Sequence, residues 1–415
     1  MQTALDHRAL YRLPWSFSDN AIAWLEPTAK CNLSCQGCYR ANVDEHKTLA
    51  EMRADLDIFK RFRKFDGVSI AGGDPLMHPQ IAEIVRMVAD DGFKPVLNTN
   101  GLALTEELLR ELKVAGLLGL TFHIDSKQGR PGWKDKSELD LNELRQHFAD
   151  LAHRVGGLSC AFNATVYEDT MEHVPALVQW AQEQIDRVHV MVFIAYRDAV
   201  RDGDFDYYDG GKRIDPKPLV YAVPEKKQRG DITSNELVDQ VRERFPDFAP
   251  AAYLGGTEKP DSFKWLMAGR IGTAEKIMGY VGPRMMEASQ TLHHLFTGRY
   301  LAYADARALA MGRSTMAAGS LIDPGSRGAL GRWLGWVARD PRRALQRQHF
   351  QSIMFIQPVD VLADGRQNMC DGCPDITVHE GELVWSCRLE ERLEYGSFLR
   401  TVPKAAPTSA GSLRG

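Results

Sequence analysis

The sequence predicts an α/β protein built on a parallel sheet. Two observations carry that reading. Between residues 21 and 196, short apolar runs alternate with amphipathic helical patterns. The runs end in polar or glycine-bearing turns. Such alternation argues for repeated strand–helix–strand units whose strands pair in parallel.

The elements follow in order. Residues 21–26 (AIAWLE) predict a strand leading into a cysteine-bearing loop, and 49–65 a helix. Residues 67–71 (GVSIA) predict a buried strand ending in a Gly-Gly turn. Ile81, Ile84, Val85 and Val88 share one helical face. Residues 95–98 predict a strand, broken by Asn100-Gly101. Leu108, Leu109, Leu112 and Ala115 form another helical stripe, and 118–124 (LGLTFHI) a strand. Leu141, Leu144, Phe148 and Leu151 mark a helix. Then come a strand at 158–166, a helix at 174–185 and a strand at 188–196. That makes about six strands. In such sheets chemistry gathers at the carboxyl ends of the strands. The cysteine loop, the Gly-Gly turn, 98–101 and Asp125-Ser126 all follow strands and project toward one rim.

Beyond residue 196 the pattern changes. Residues 197–215 are rich in Asp and Gly and read as an irregular loop. Residues 235–244, 265–278 and 283–311 read as helical, the last long and apolar. Residues 327–347 interleave six arginines with Trp333, Leu334, Trp336 and Val337. The expected division is a sheet domain at 1–200, a largely helical insertion at 201–350 and a small unit at 351–400. The tail at 401–415 is small and polar, and is expected to be disordered.

The chain of 415 residues has 51 Lys plus Arg against 55 Asp plus Glu, a formal net of −4. Near-neutral balance gives no electrostatic footprint for nucleic acid. No apolar run approaches the roughly 18 residues of a spanning helix. The first residues lack a secretory stretch. A reducing, cytoplasmic location is expected, where cysteines bind metal or react more often than they pair.

The seven cysteines fall into three groups. Residues 30–40 read KCNLSCQGCYR, which sets Cys31, Cys35 and Cys38 at Cys-x3-Cys-x2-Cys spacing. Three such thiolates can hold three corners of one cubane and leave the fourth iron open. Structural zinc is the alternative, although it usually takes four ligands in paired units. Cys370, Cys373 and Cys387 form Cys-x2-Cys-x13-Cys around a hairpin-like stretch. These are read as a second iron–sulfur site or as zinc with His379. Cys160 stands alone in a predicted strand and is expected to be packed.

The first triplet, placed directly after a strand, resembles the signature of the radical S-adenosylmethionine superfamily. Gly37 stands where that family commonly has an aromatic, and Tyr39 follows the third cysteine instead. Further motifs appear in the family's order. They are AGGDP at 71–75 (with Asp74 for the usual Glu), NTNG at 98–101, HIDS at 123–126 and Asn163. The resemblance covers about residues 20–196. It implies a partial (β/α)6 barrel with a catalytic 4Fe–4S cluster on Cys31, Cys35 and Cys38. It implies S-adenosylmethionine bound by Tyr39, Gly72, Gly73, Asp74, Asn98, Asn100, Asp125, Ser126 and Asn163, with 192–194 along the adenine. The implied chemistry is reductive cleavage to methionine and a 5′-deoxyadenosyl radical, which takes hydrogen from a substrate. A flavodoxin or ferredoxin is the implied reductant.

The second triplet resembles the twitch/SPASM-type auxiliary domains of that superfamily, which implies a second 4Fe–4S cluster on Cys370, Cys373 and Cys387. The apolar stretch at 283–311 and the basic one at 327–347 suggest a lipid-like substrate and peripheral membrane contact. The alternatives are a peptide substrate, or a zinc-binding interaction protein without catalysis.

Overall fold

The computed structural model describes residues 5–197, 204–220 and 229–404. After a short strand, β1 (Tyr11–Arg12), six strands alternate with five helices. They are β2 (Ile22–Leu25), α1 (Leu49–Phe62), β3 (Gly67–Ile70), α2 (Ile81–Asp90), β4 (Lys94–Thr99), α3 (Glu106–Val114), β5 (Gly119–His123), α4 (Asn142–Val155), β6 (Ser159–Val166), α5 (Val174–Glu183) and β7 (Val190–Ala195). Each of β2 to β6 pairs in parallel with the next, in sequence order. This is the parallel sheet that the alternation predicts.

The sheet's two faces differ. Leu97, Phe122, Phe162 and Phe193 point to the helix-covered side and are fully buried. Phe162 packs at 5.6 Å from Phe122 and edge-on to Trp180. The alternate residues, among them Asn98, Thr121, His123 and Asn163, lie on the opposite face and are only half-buried. One face is therefore core, and the other carries polar groups.

The second half is less helical than its composition suggests. It contributes β8 (Phe205–Asp209), β9 (Lys212–Ile214), α6 (Ser234–Arg244), β10 (Ala252–Leu254), β11 (Trp265–Gly272) and β12 (Ile277–Tyr280). Next come α7 (Pro283–Thr297), α8 (Ala306–Leu309), α9 (Gly312–Gly319), α10 (Pro324–Arg339) and β13 (His349–Ile356). The helix expected at 265–278 is instead the pair β11 and β12. β11 is buried on nearly all sides, so its sequence shows no period. Its Gly269 admits Phe350 where a Cβ would stand at 2.5 Å from the ring. β13 pairs in parallel with β7, and β11 pairs antiparallel with β13, so the main sheet extends past the first domain.

The helix expected at 283–311 stops at Thr297, because Gly298 turns left-handed at φ 71°. α10 likewise ends at Arg339, and a short 3-10 turn follows from Pro341 to Leu345.

The chain closes with β14 (Asp360–Val361), β15 (Gln367–Asn368), β16 (Ile376–His379), β17 (Glu382–Trp385), α11 (Leu389–Tyr395) and β18 (Arg400–Pro403). The tail expected to loosen at Thr401 is therefore ordered through Pro403. It pairs antiparallel with β8, a partner far away in sequence. Residues 405–415 of that expectation lie outside the described residues.

Cys160 is buried in β6, as expected. Its N–H donates to Nδ1 of His189 at 3.0 Å. Burial, with His349 nearby, lowers the His189 pKa from 6.5 to about 4. A depressed folded-state value contributes stability above pH 6.5 that is lost as pH falls toward 4. The loss should approach about 3 kcal/mol. Chemical denaturation at pH 7 and pH 4.5 should show this slope, and His189→Gln should reduce it.

Candidate functional site

The cysteine loop leaves β2 and is tied at its start. Thr28 Oγ1 accepts from Lys30 N and donates to Glu45 O. Asn42 clasps Cys31, accepting from its N–H at 2.8 Å and donating to its carbonyl at 2.9 Å. The Gly-Gly turn after β3 packs on this loop. Gly73 N donates to Thr28 O and Asp74 N to Lys30 O, both at 2.8 Å. A Cβ on Gly73 would stand 2.3 Å from Lys30 O, and Gly72 has φ +103°. The two glycines let turn and loop approach each other closely.

Asp74 is buried, and its carboxylate is occupied within the protein. It accepts from Leu76 N, Thr99 Oγ1 and Asn100 N at 2.8–3.0 Å. It thus fastens the turn after β3 to the end of β4. Asn100 donates to Asn32 Oδ1 at 2.7 Å, with Cys31 Sγ at 3.7 Å, and so reaches the cysteine loop. Asp125 is buried and accepts from Lys127 N, with His123 Nε2 at 3.1 Å from its other oxygen. His123 and the Lys127 N–H help hold the Asp125 carboxyl below its ordinary range against the opposing effect of burial.

Three predicted positions carry buried polar atoms with no protein partner. They are Asn98 Nδ2, Ser126 Oγ and Asn163 Oδ1. Buried polar groups in native proteins are nearly always paired. Asn98 and Asn163 lie on the same half-buried sheet face, since Asn98 pairs with Thr121 and Asn163 with His123. Val192 adjoins Asn163 in register on that face. This arrangement fits a polar ligand at the carboxyl ends of the strands.

Partial burial raises the Cys31 thiol above its ordinary value, with Asp74 adding to the rise. Burial and Asp125 raise Cys35 further. Such thiols hold their protons at neutral pH unless a metal centre displaces them. Among the described residues, no three His, Cys, Asp or Glu side chains converge as a single ion would require. A four-iron cubane takes its thiolates at separate corners.

Tyr39 does not face the ligand positions. It packs against a small cluster of Phe205, Tyr207, Leu219 and Leu399. Its hydroxyl bonds Ser386, and burial raises its pKa well above the ordinary value. Next to it, Arg40 lies between Glu26 at 3.4 Å and Glu390 at 2.7 Å, all three side chains nearly buried. Burial opposes the Arg40 charge, and the two carboxylates outweigh it. Ser386 Oγ and Trp24 Nε1 donate to Glu26, and Ala41 N donates to Glu390.

This network joins the first cysteine loop to the second triplet. The hairpin β16–β17 pairs Ile376 with Trp385, which returns Cys387 to the side of Cys373. Cys370 and Cys373 are buried, and their thiols are hydrogen-bonded to each other. Asn20 Nδ2 holds the carbonyls of Gly372 and Cys373 at 2.9 and 3.2 Å. His379 sits at the opposite, turn end of the hairpin, paired with Glu382, and does not join the triplet.

The sequence reading missed several residues. Arg130 is buried beside the site, donating to Asn100 O at 2.8 Å with its Nε unpartnered. His123 also meets Thr165 Oγ1 at 3.0 Å on the open face. Its place in the HIDS motif was the available signal. Nothing local marks Arg130, Glu26 or Glu390, because their partners are distant in sequence.

Residues 25–181 match the Radical SAM superfamily. That stretch contains the first cysteine triplet and Tyr39, Gly72, Gly73, Asp74, Asn98, Asn100, Asp125, Ser126 and Asn163, and stops short of 192–194. An AdoMet-dependent heme synthase of Methanosarcina barkeri is 30% identical over 174 residues, covering 39% of this chain and 47% of that protein. A probable GTP 3′,8-cyclase of Methanococcus maripaludis is 25% identical over 197 residues, 46% of this chain and 65% of that protein. The chain spans about half the length of several curated relatives it matches. The crystal structure of Streptococcus suis SuiB bound to S-adenosylmethionine aligns with a TM-score of 0.39 at 17% identity, over 55% of this chain and 48% of that one.

Breaking a buried pair leaves a charge uncompensated and costs about 3–5 kcal/mol. Arg40→Leu should therefore lower stability by about that amount in urea unfolding. An unchanged midpoint would mean that the network does not hold the two loops together.

Proposed function

We propose that the chain is a radical S-adenosylmethionine enzyme with two iron–sulfur clusters. The observation that carries this reading is the set of unpartnered buried atoms on Asn98, Ser126 and Asn163, beside a three-cysteine loop within the stretch that matches the radical SAM superfamily. A 4Fe–4S cluster on Cys31, Cys35 and Cys38 would supply an electron for cleaving bound S-adenosylmethionine to methionine and a 5′-deoxyadenosyl radical. The residues of the chain bind and orient. Asn98, Ser126 and Asn163 offer hydrogen bonds to the polar groups of the cofactor. Asp74 and Arg130 hold the Asn100 backbone in place between them. Val192 and Ile194 lie along the same face, where they suit the adenine.

Cys370, Cys373 and Cys387 hold the auxiliary cluster in this reading. Their support is mutual proximity behind the hairpin, together with the buried ionic link to the first loop. The substrate meets the same open sheet face, where half-buried Met354 and Ile356 of β13 suit a partly apolar molecule. The electron donor is a small redox protein such as a flavodoxin or ferredoxin. No helix among the described residues is long and apolar enough to cross a membrane.

Anaerobically reconstituted protein with dithionite should convert S-adenosylmethionine to 5′-deoxyadenosine, and Cys35→Ala should abolish this. Cys370→Ala should retain cleavage and show about half the iron and sulfide. A protein that forms its cluster yet yields no 5′-deoxyadenosine overturns the reading. Stoichiometric zinc without sulfide would point to the zinc-binding alternative.

A further inference from the structure

The charge of the chain is unevenly distributed. Residues 283–347 hold ten arginines, no lysine and four carboxylates, an excess of six positive charges in a chain whose formal net is −4. Three of those carboxylates are used locally at helix starts. Asp305 accepts from Ala308 N, Asp323 from Gly282 N and Ser326 N, and Asp340 from Arg342 N. Among the described residues, Arg342 alone of the ten pairs with a carboxylate. Arg313, Arg327 and Arg343 donate to backbone carbonyls instead, which leaves their charge uncompensated.

The same segment exposes apolar surface. Of the fifteen large apolar side chains exposed among the described residues, eight lie in 283–347. Leu295 and Phe296 at the end of α7 are 73% and 81% exposed. Leu321 in the α9–α10 turn is 80% exposed, and Leu345 after α10 is 85% exposed. These helices form one layer. A Cβ on Gly319 would touch Met285 Sδ at 3.1 Å, Gly282 N bonds Asp323, and Arg313 reaches Ala344 O. The inner side of the layer is a core of Met278, Met316, Ala329 and Trp336 on β11 and β12.

Bulky apolar side chains among unpaired arginines are the composition of a surface that lies in the headgroup region of a bilayer. Arginine stems bury along apolar surface while their heads meet phosphate. We propose that the outer face of the helical layer 283–347 docks peripherally on an anionic phospholipid bilayer. Charge complementarity selects this occupant, because the rest of the chain carries a net negative charge and a second copy would bring a basic face against a basic face.

The test is sedimentation of the full-length protein with phosphatidylcholine vesicles, with and without phosphatidylglycerol, in the absence of S-adenosylmethionine. Binding should require phosphatidylglycerol and weaken as salt rises. Arg339→Gln and Arg347→Gln should each weaken it about fivefold. Leu295→Ser combined with Phe296→Ser should weaken it by more than about tenfold. All variants should keep the parent's thermal unfolding midpoint, which separates docking from folding. Equal binding to neutral vesicles, no binding to either, or a concentration-dependent dimer lost in the Leu295/Phe296 variant without vesicle binding each overturns the proposal. Because the assay uses no cofactor, its failure leaves the cleavage reading untouched.

Discussion

One buried guanidinium constrains where both cysteine triplets can stand. Arg40 follows Cys38 by two residues, Glu26 ends the segment that begins the first loop, and Glu390 follows Cys387 by three. Removing three charges from water is costly and is recovered only in one geometry. Neither loop can therefore shift without leaving a carboxylate or the guanidinium unpaired. Ser386 and Trp24 add donors to Glu26, so the link involves the hairpin as well as the helix after it. Such clusters add little net stability, and their effect here is positional.

The open sheet face depends on the same economy of polar groups. Asp74 accepts from three neighbouring residues, whereas the Asn98 Nδ2 donor and the Asn163 Oδ1 acceptor meet no protein partner. The contrast separates a residue spent on building the rim from residues whose polar atoms are left free on the open face. Motif reading alone treats Asp74, Asn98 and Asn163 as equals. Tyr39 differs again, since its hydroxyl is turned to Ser386 and away from that face.

Legibility in the sequence follows the range of the interactions. The alternation at 21–196 was readable because a half-covered strand and an amphipathic helix each leave a local period. β11 does not read as a strand because burial on nearly all sides erases the period, and its Gly269 makes room for Phe350. The order at Thr401 was invisible because its partner, β8, lies nearly two hundred residues earlier. The cysteine spacings were visible because each triplet is set largely within one short stretch of chain. Arg130 and the Arg40 network were not, since their meaning arises only when β2, β5 and the C-terminal helix come together.

The segment between the two triplets connects surface to interior. α7 carries exposed Leu295 and Phe296 on one side, while Met286, on the same helix, packs with Tyr300 and Tyr303 against the inner cluster that holds Cys370 and Cys373. Tyr303 reaches the sheet itself, with its hydroxyl 2.5 Å from Ser69 Oγ and its carbonyl accepting from Lys94 Nζ. A Cβ on Gly67 would collide with its ring, so β3 is shaped to receive it. The chain from Pro283 to Tyr303 is thus continuous from the outer helical face to the inner face of the parallel sheet. Packed side chains therefore join α7 to the sheet face on which Asn98 and Asn163 stand.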